Sequence, residues 1–117
     1  MVTMRPRSVV RVVLFAAIVA LAGGACSSPQ GTPPPGPSAP VVTNSVVFLP
    51  KDLAIPAGTT VIWTNPTNIY HDVTSDDASF GGSLGQGNVV WHTFTKPGTY
   101  HYVCTVHDGM SGTVTVH

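Results

Sequence analysis

The chain has 117 residues, of which 43% are apolar and 9% charged, with a formal net charge of zero. That balance hides an asymmetry: Arg5, Arg7 and Arg11 sit at the extreme N-terminus, and beyond them Lys51 and Lys96 stand against five aspartates, two against five, a net −3. Such a surface offers no basic patch, which excludes nucleic acid as a partner.

In chain order, the three arginines form a positive n-region, and an uncharged apolar run follows over residues 12–22. Gly23, Gly24 and Ala25 then lead to Cys26. The run is shorter than the roughly 20 apolar residues that a membrane span needs, so residues 1–25 read as a secretion signal peptide. Small residues ending in a cysteine resemble a bacterial lipobox, although Gly23 stands where that motif usually has Leu and Leu21 lies two residues earlier. Cys26 is therefore expected to carry a lipid anchor, which would hold the protein at the outer face of the cytoplasmic membrane or in the periplasm without a spanning helix.

Residues 26–40 are almost entirely Pro, Gly, Ser, Thr and Ala, a composition that cannot bury a core and reads as a semi-stiff tether. The remaining residues, 41–117, form the expected folded domain, near the lower size limit for a self-sufficient core. Short runs rich in Val, Ile, Thr and aromatic residues, punctuated by Gly, Pro, Asn and Asp, predict strands over residues 45–49, 53–55, 60–65, 71–75, 89–94, 98–104 and 112–116. Residues 76–88, with four glycines, read as a loop. Alternation places Val61 and Trp63 on one inward face, and Tyr100, Tyr102 and Cys104 on another. Tyr100, just after Pro97 and Gly98, is expected to be a corner residue whose hydroxyl bonds the backbone. Seven short strands with such turns predict an all-β, two-sheet β-sandwich.

The chemistry concentrates near the C-terminus. Cys104, His107 and Met110 fall at C-x2-H-x2-M spacing, and His71 lies 33 residues upstream of the cysteine at the start of a strand. Two imidazoles and a thiolate with a weak thioether make the ligand set of a blue-copper electron-transfer site, because soft sulfur suits Cu(I) and imidazole tolerates both oxidation states. Structural zinc normally takes four strong ligands, and a thioether is not one. A Cys26–Cys104 disulfide would consume the thiolate that gives the cluster its sense. His92, His101 and His117 are left outside the metal set, with His92 sharing the strand parity of Phe94.

The motifs Phe48-Leu-Pro, Leu53-Ala-Ile-Pro-Ala-Gly58, Val61-Ile-Trp63-Thr-Asn65, His71-Asp-Val-Thr-Ser, Phe94-Thr-Lys-Pro-Gly98 and Cys104-Thr-Val-His107-Asp-Gly-Met110 follow one another in an order that resembles the plastocyanin-like cupredoxins. The gap of two between His107 and Met110 is similar to an amicyanin-type ligand loop. The resemblance implies a Greek-key β-sandwich holding one type 1 copper through His71, Cys104, His107 and an axial Met110. It also implies a monomeric one-electron carrier, not an enzyme, working between redox protein partners outside the cytoplasm, with His107 as electron port. Asp108 beside that port would favour a cationic partner. Copper storage or delivery, and the electron-input module of a larger redox complex, are the rival functions. Three departures stand out: the stretch between His71 and Cys104 is short enough to lack a strand or loop, Val106 and Asp108 stand where the family often has Pro, and Asp72 stands where plastocyanin has Asn.

Overall fold

The structure is a computed structural model that describes residues 30–117; the residues read as a signal peptide and Cys26 lie outside the described residues. β-Branched and aromatic residues in short alternating runs leave no helical stripe, and the described residues form nine strands. These are β1 (Ser38–Asn44), β2 (Val47–Leu49), β3 (Asp52–Ile55), β4 (Thr59–Thr64), β5 (His71–Ser75), β6 (Gly81–Leu84), β7 (Val89–Phe94), β8 (Gly98–Val103) and β9 (Ser111–Val116). They make two facing sheets, β2-β1-β4-β7 and β3-β9-β8-β5-β6. The pairs β1/β4 and β3/β9 are parallel and the other pairs antiparallel. The two-sheet β-sandwich expected from the strand pattern is thus present, with two more strands than the sequence suggested.

Both additions have a physical cause. β6 lies in the glycine-rich stretch read as a loop. Gly81 has a φ of 153°, and a Cβ there would collide with the carbonyl of Val73 on β5. Glycine is needed for that close approach, and it erases the residue-type signal by which a strand is recognised. The stretch from His71 to Cys104 therefore contains β5, β6, β7 and β8. β1 begins at Ser38, inside the stretch read as tether. Its Pro40 pairs in register with Ile62 of β4, but on the other side β2 reaches only Val42, Thr43 and Asn44. Pro40 thus sits where no ladder bond is lost. Residues 45 and 46, expected in a strand, form the turn between β1 and β2, with Ser45 left-handed at a φ of 55°.

Upstream of β1 the chain is held too. The Gln30 carboxamide accepts the Trp91 main-chain N–H at 2.6 Å and donates to the Trp91 carbonyl at 2.8 Å, so a side chain pairs with β7 as a neighbouring strand would. The Trp91 indole N–H donates to the Gly31 carbonyl at 2.8 Å, and Thr60 N–H donates to the Pro37 carbonyl at 2.9 Å. β7 ends its sheet, so residues 30–37 run as a strap from its open edge to β1.

Between the sheets lies an aromatic core. Trp63 stacks on Phe80 at 5.5 Å and meets Tyr102 edge-on at 5.3 Å; Phe80 meets Phe94 at 5.2 Å and Phe48 meets Tyr102 at 4.8 Å. Edge-to-face and offset pairs of this kind each add about 0.5–1.5 kcal/mol beyond area burial. His92 shares the inward parity of Phe94, packing against Phe80 at 5.2 Å and Phe94 at 4.7 Å. Tyr100 is the corner residue, its hydroxyl donating to the Lys96 carbonyl at 2.7 Å.

Candidate metal centre

The register of the second sheet brings the chemistry together. β5 pairs with β8 through Thr74↔Val103 and Ser75↔Tyr102, so the start of β5 lies beside the chain that follows β8. β8 pairs with β9 down to Val103↔Ser111, which sets Cys104 beside Met110; the Cys104 N–H donates to the Met110 carbonyl at 2.9 Å. Inside that hairpin the Met110 N–H reaches back to the His107 carbonyl at 3.3 Å, and Gly109 turns the chain at a φ of 77°.

The result is a triangle of donors. Cys104 Sγ lies 3.8 Å from His71 Nδ1 and 3.5 Å from His107 Nδ1, and the three ligand atoms fall within 4.8 Å of one another. A first-row metal bonds sulfur at about 2.3 Å and imidazole at about 2.0 Å, so ligands spread at 120° would have a sulfur–nitrogen edge of about 3.7 Å. The observed edges bracket that length. His71, Cys104 and Met110 are buried at 0%, 4% and 2% exposure, while His107 is only half-buried. Of the sequence-predicted ligands, the two histidines and the cysteine converge, and Met110 is buried at the hairpin end beside Cys104. His101 is elsewhere, bonded to Thr113 on β9 at 3.1 Å, and His117 is exposed at the opposite end of β9.

The surroundings prepare the ligands for a cation. Burial lowers the pKa of His71, the nearby His107 lowers it further, and the Ser45 main chain and Asp72 only partly oppose them. The imidazole is therefore neutral at pH 7, as ligation requires. Its Nε2 is buried without a hydrogen-bond partner. Burial works to raise the pKa of Asp72, but bonds from Thr105 and Thr74 and contact with Cys104 outweigh it, holding the carboxyl below its usual range.

Two residues that sequence reasoning missed as organisers lie behind the ligands. Asn65, 1% exposed, was legible only as the end of a strand and of a family motif. Its Oδ1 accepts from the Thr43 hydroxyl and from the Thr67 N–H and hydroxyl, and its Nδ2 donates to the Ile69 and Leu84 carbonyls. That network shapes the five-residue approach to Tyr70 and His71. Asp72 accepts from Thr105, the residue after the cysteine; the sequence marked it as a departure but could not show its partner.

A Greek-key sandwich with a buried thiolate–imidazole triangle at one end, fed from β5 and the β8–β9 hairpin, defines the cupredoxin class. Residues 38–117 match the family of copper binding proteins described as plastocyanin/azurin. The chain is 33% identical over 108 residues to amicyanin-alpha of Methylorubrum extorquens, covering 87% of this chain and 89% of that one. It is 31% identical to a chloroplastic plastocyanin of Physcomitrium patens, over 59% of this chain and 49% of that one. Among solved structures, a reduced amicyanin variant superposes with a TM-score of 0.63 at 28% identity, over 68% of this chain and 82% of that one. A purple cupredoxin from Nitrosopumilus maritimus superposes with a TM-score of 0.60 at 32% identity, over 68% and 99%. The chain belongs to the copper-binding plastocyanin/azurin family. Its cofactor is one copper ion of type 1, which the soft, neutral and mostly buried donor set fits.

Proposed function

We propose that this chain is an exported blue copper protein that carries single electrons between redox proteins outside the cytoplasm. The observation that carries the reading is the donor triangle, with edges of 3.5 and 3.8 Å around one thiolate. Cys104, His71, His107 and Met110 would hold the copper, with the Cys104 thiolate as the strongest donor and the Met110 thioether as the weakest. The copper, when bound, supplies a Cu(I)/Cu(II) couple that gives up or takes one electron.

The protein's own residues do the rest. Four protein ligands leave no open position for a substrate, which separates this site from catalytic metal centres. Burial of His71, Cys104 and Met110 excludes water and limits rearrangement when the charge changes. The half-exposed edge of His107 is the exit for the electron, flanked by exposed Val106 and Asp108. The apolar run over residues 12–22 and Cys26 support export and lipid anchoring.

Protein-film voltammetry of the copper-loaded chain, paired with a challenge by a Cu(I) chelator, tests the reading. A carrier gives a reversible one-electron wave and keeps its copper through many cycles. Rapid loss of Cu(I) to the chelator would instead make it a protein of copper storage or delivery.

A further inference from the structure

The ligand hairpin from Cys104 to Met110 contains no proline, so its shape must be held by contacts. The ladder between β5 and β8 ends at Thr74↔Val103. Two residues further along the same register, where Asp72 would face Thr105, the Asp72 side chain takes over. Its Oδ1 accepts the Thr105 N–H at 2.6 Å, and its Oδ2 accepts the Thr105 hydroxyl at 2.8 Å and the Thr74 hydroxyl at 2.9 Å. Asp72 follows His71 in the chain, and Thr105 follows Cys104. The carboxylate therefore ties the two ligand-bearing segments together, 33 residues apart in sequence.

A clamp made by an amide and one made by a carboxylate differ in charge. Charge-assisted bonds are roughly twice as strong as neutral ones. A fixed negative charge next to a redox ion also favours the state of higher positive charge, by an amount that falls with distance and solvent access. We propose that Asp72 is a positioning residue that also sets the reduction potential, stabilising Cu(II) over Cu(I) while holding the proline-free hairpin in place. The proposal rests on the copper reading above.

The substitution Asp72→Asn separates the two roles. Asparagine keeps an oxygen for the Thr105 N–H, and its NH2 can donate to the Thr105 hydroxyl, which turns to accept. The clamp stays and the charge goes. Thr105→Val does the reverse, removing one bond and keeping the charge. In copper-loaded protein at pH 7 and low salt, Asp72→Asn should shift the Cu(II)/Cu(I) ratio toward Cu(I) on the order of tenfold at a fixed electrode potential, a rise of ~59 mV. Its thiolate-to-copper absorption should be unchanged, and Thr105→Val should leave the potential within about twofold in the same ratio. An unmoved potential in Asp72→Asn with a normal band overturns the charge role. An equal shift in Thr105→Val overturns it too, assigning the effect to hairpin position. A wild-type chain with no thiolate-to-copper band overturns the copper reading and the potential-setting role with it.

Discussion

Tyr102 lies over Gly112, its cross-strand partner in the β8–β9 pair, so closely that a Cβ at position 112 would collide with the phenol ring and hydroxyl. The ring is 1% exposed, and burial pushes its pKa up to about 12. Tyr102 is two residues before Cys104 and Gly112 two after Met110, so this contact packs the core at the root of the ligand hairpin.

Gly112→Ala should therefore lower stability by about 1–3 kcal/mol, the usual cost of overpacking, because Tyr102 is hemmed in by Phe48 and Trp63. Urea denaturation of the apo protein measures this. A change under about 0.5 kcal/mol, the size of an ordinary surface substitution, would show that Tyr102 has room to move.

The strap makes a second prediction. Gln30→Ala removes both bonds to the Trp91 main chain. Because the edge is exposed and water can replace them, the global cost should be no more than about 1 kcal/mol. The local effect should be larger: the Trp91 amide should exchange hydrogen markedly faster, and the Trp91 indole fluorescence should shift to the red. Unchanged exchange at Trp91 would show that residues 30–31 do not protect this edge.

Acid should destabilise the apo protein in part through His92. Burial against Phe80 and Phe94 lowers its pKa below the ordinary 6.5, with Asp77 only partly opposing. The unfolded chain then binds a proton first as pH falls, so this contribution is fully present above about pH 6.5 and is lost as pH drops through the folded-state pKa. Comparing melting temperatures at pH 7.5 and 5.5, the wild type should lose more than His92→Gln. His71 shifts in the same direction, but it is common to both proteins and cancels in the comparison. Equal losses would show that His92 is freely protonated in the fold.

Met110→Leu should keep the blue colour and raise the reduction potential. The Cys104 thiolate proposed to give the colour is untouched, while the Met110 thioether proposed to tune the potential is replaced by an apolar group of similar size. Voltammetry and an absorption spectrum on one sample decide it. Loss of colour would mean that Met110 is needed to shape the site rather than to tune it.

How far the sequence led depended on whether a signal was local. Cys104, His107 and Met110 lie within seven residues, and Trp63 and Tyr102 declare their inward faces by alternation, so the hairpin and core were legible. β6 was not, because Gly81 is needed for close approach to the β5 backbone and Gly82 lies against the Val90 side chain, and neither carries strand propensity. β1 was hidden by Pro40, harmless only because β2 is too short to pair with it there. The Gln30–Trp91 and Asp72–Thr105 pairs join residues 61 and 33 positions apart, and nothing local in the chain announces such partners.

One thiolate and two imidazoles at the end of this sandwich are proposed to hold a single copper. Titrating the purified chain with Cu(II), in parallel with Cys104→Ser, and recording absorption and EPR spectra tests it most directly. The wild type should give an intense visible thiolate-to-copper band and narrow copper hyperfine splitting, both saturating at one equivalent and both absent in Cys104→Ser. A pale complex with wide hyperfine splitting in the wild type, or a Cys104→Ser protein that stays blue, would contradict it.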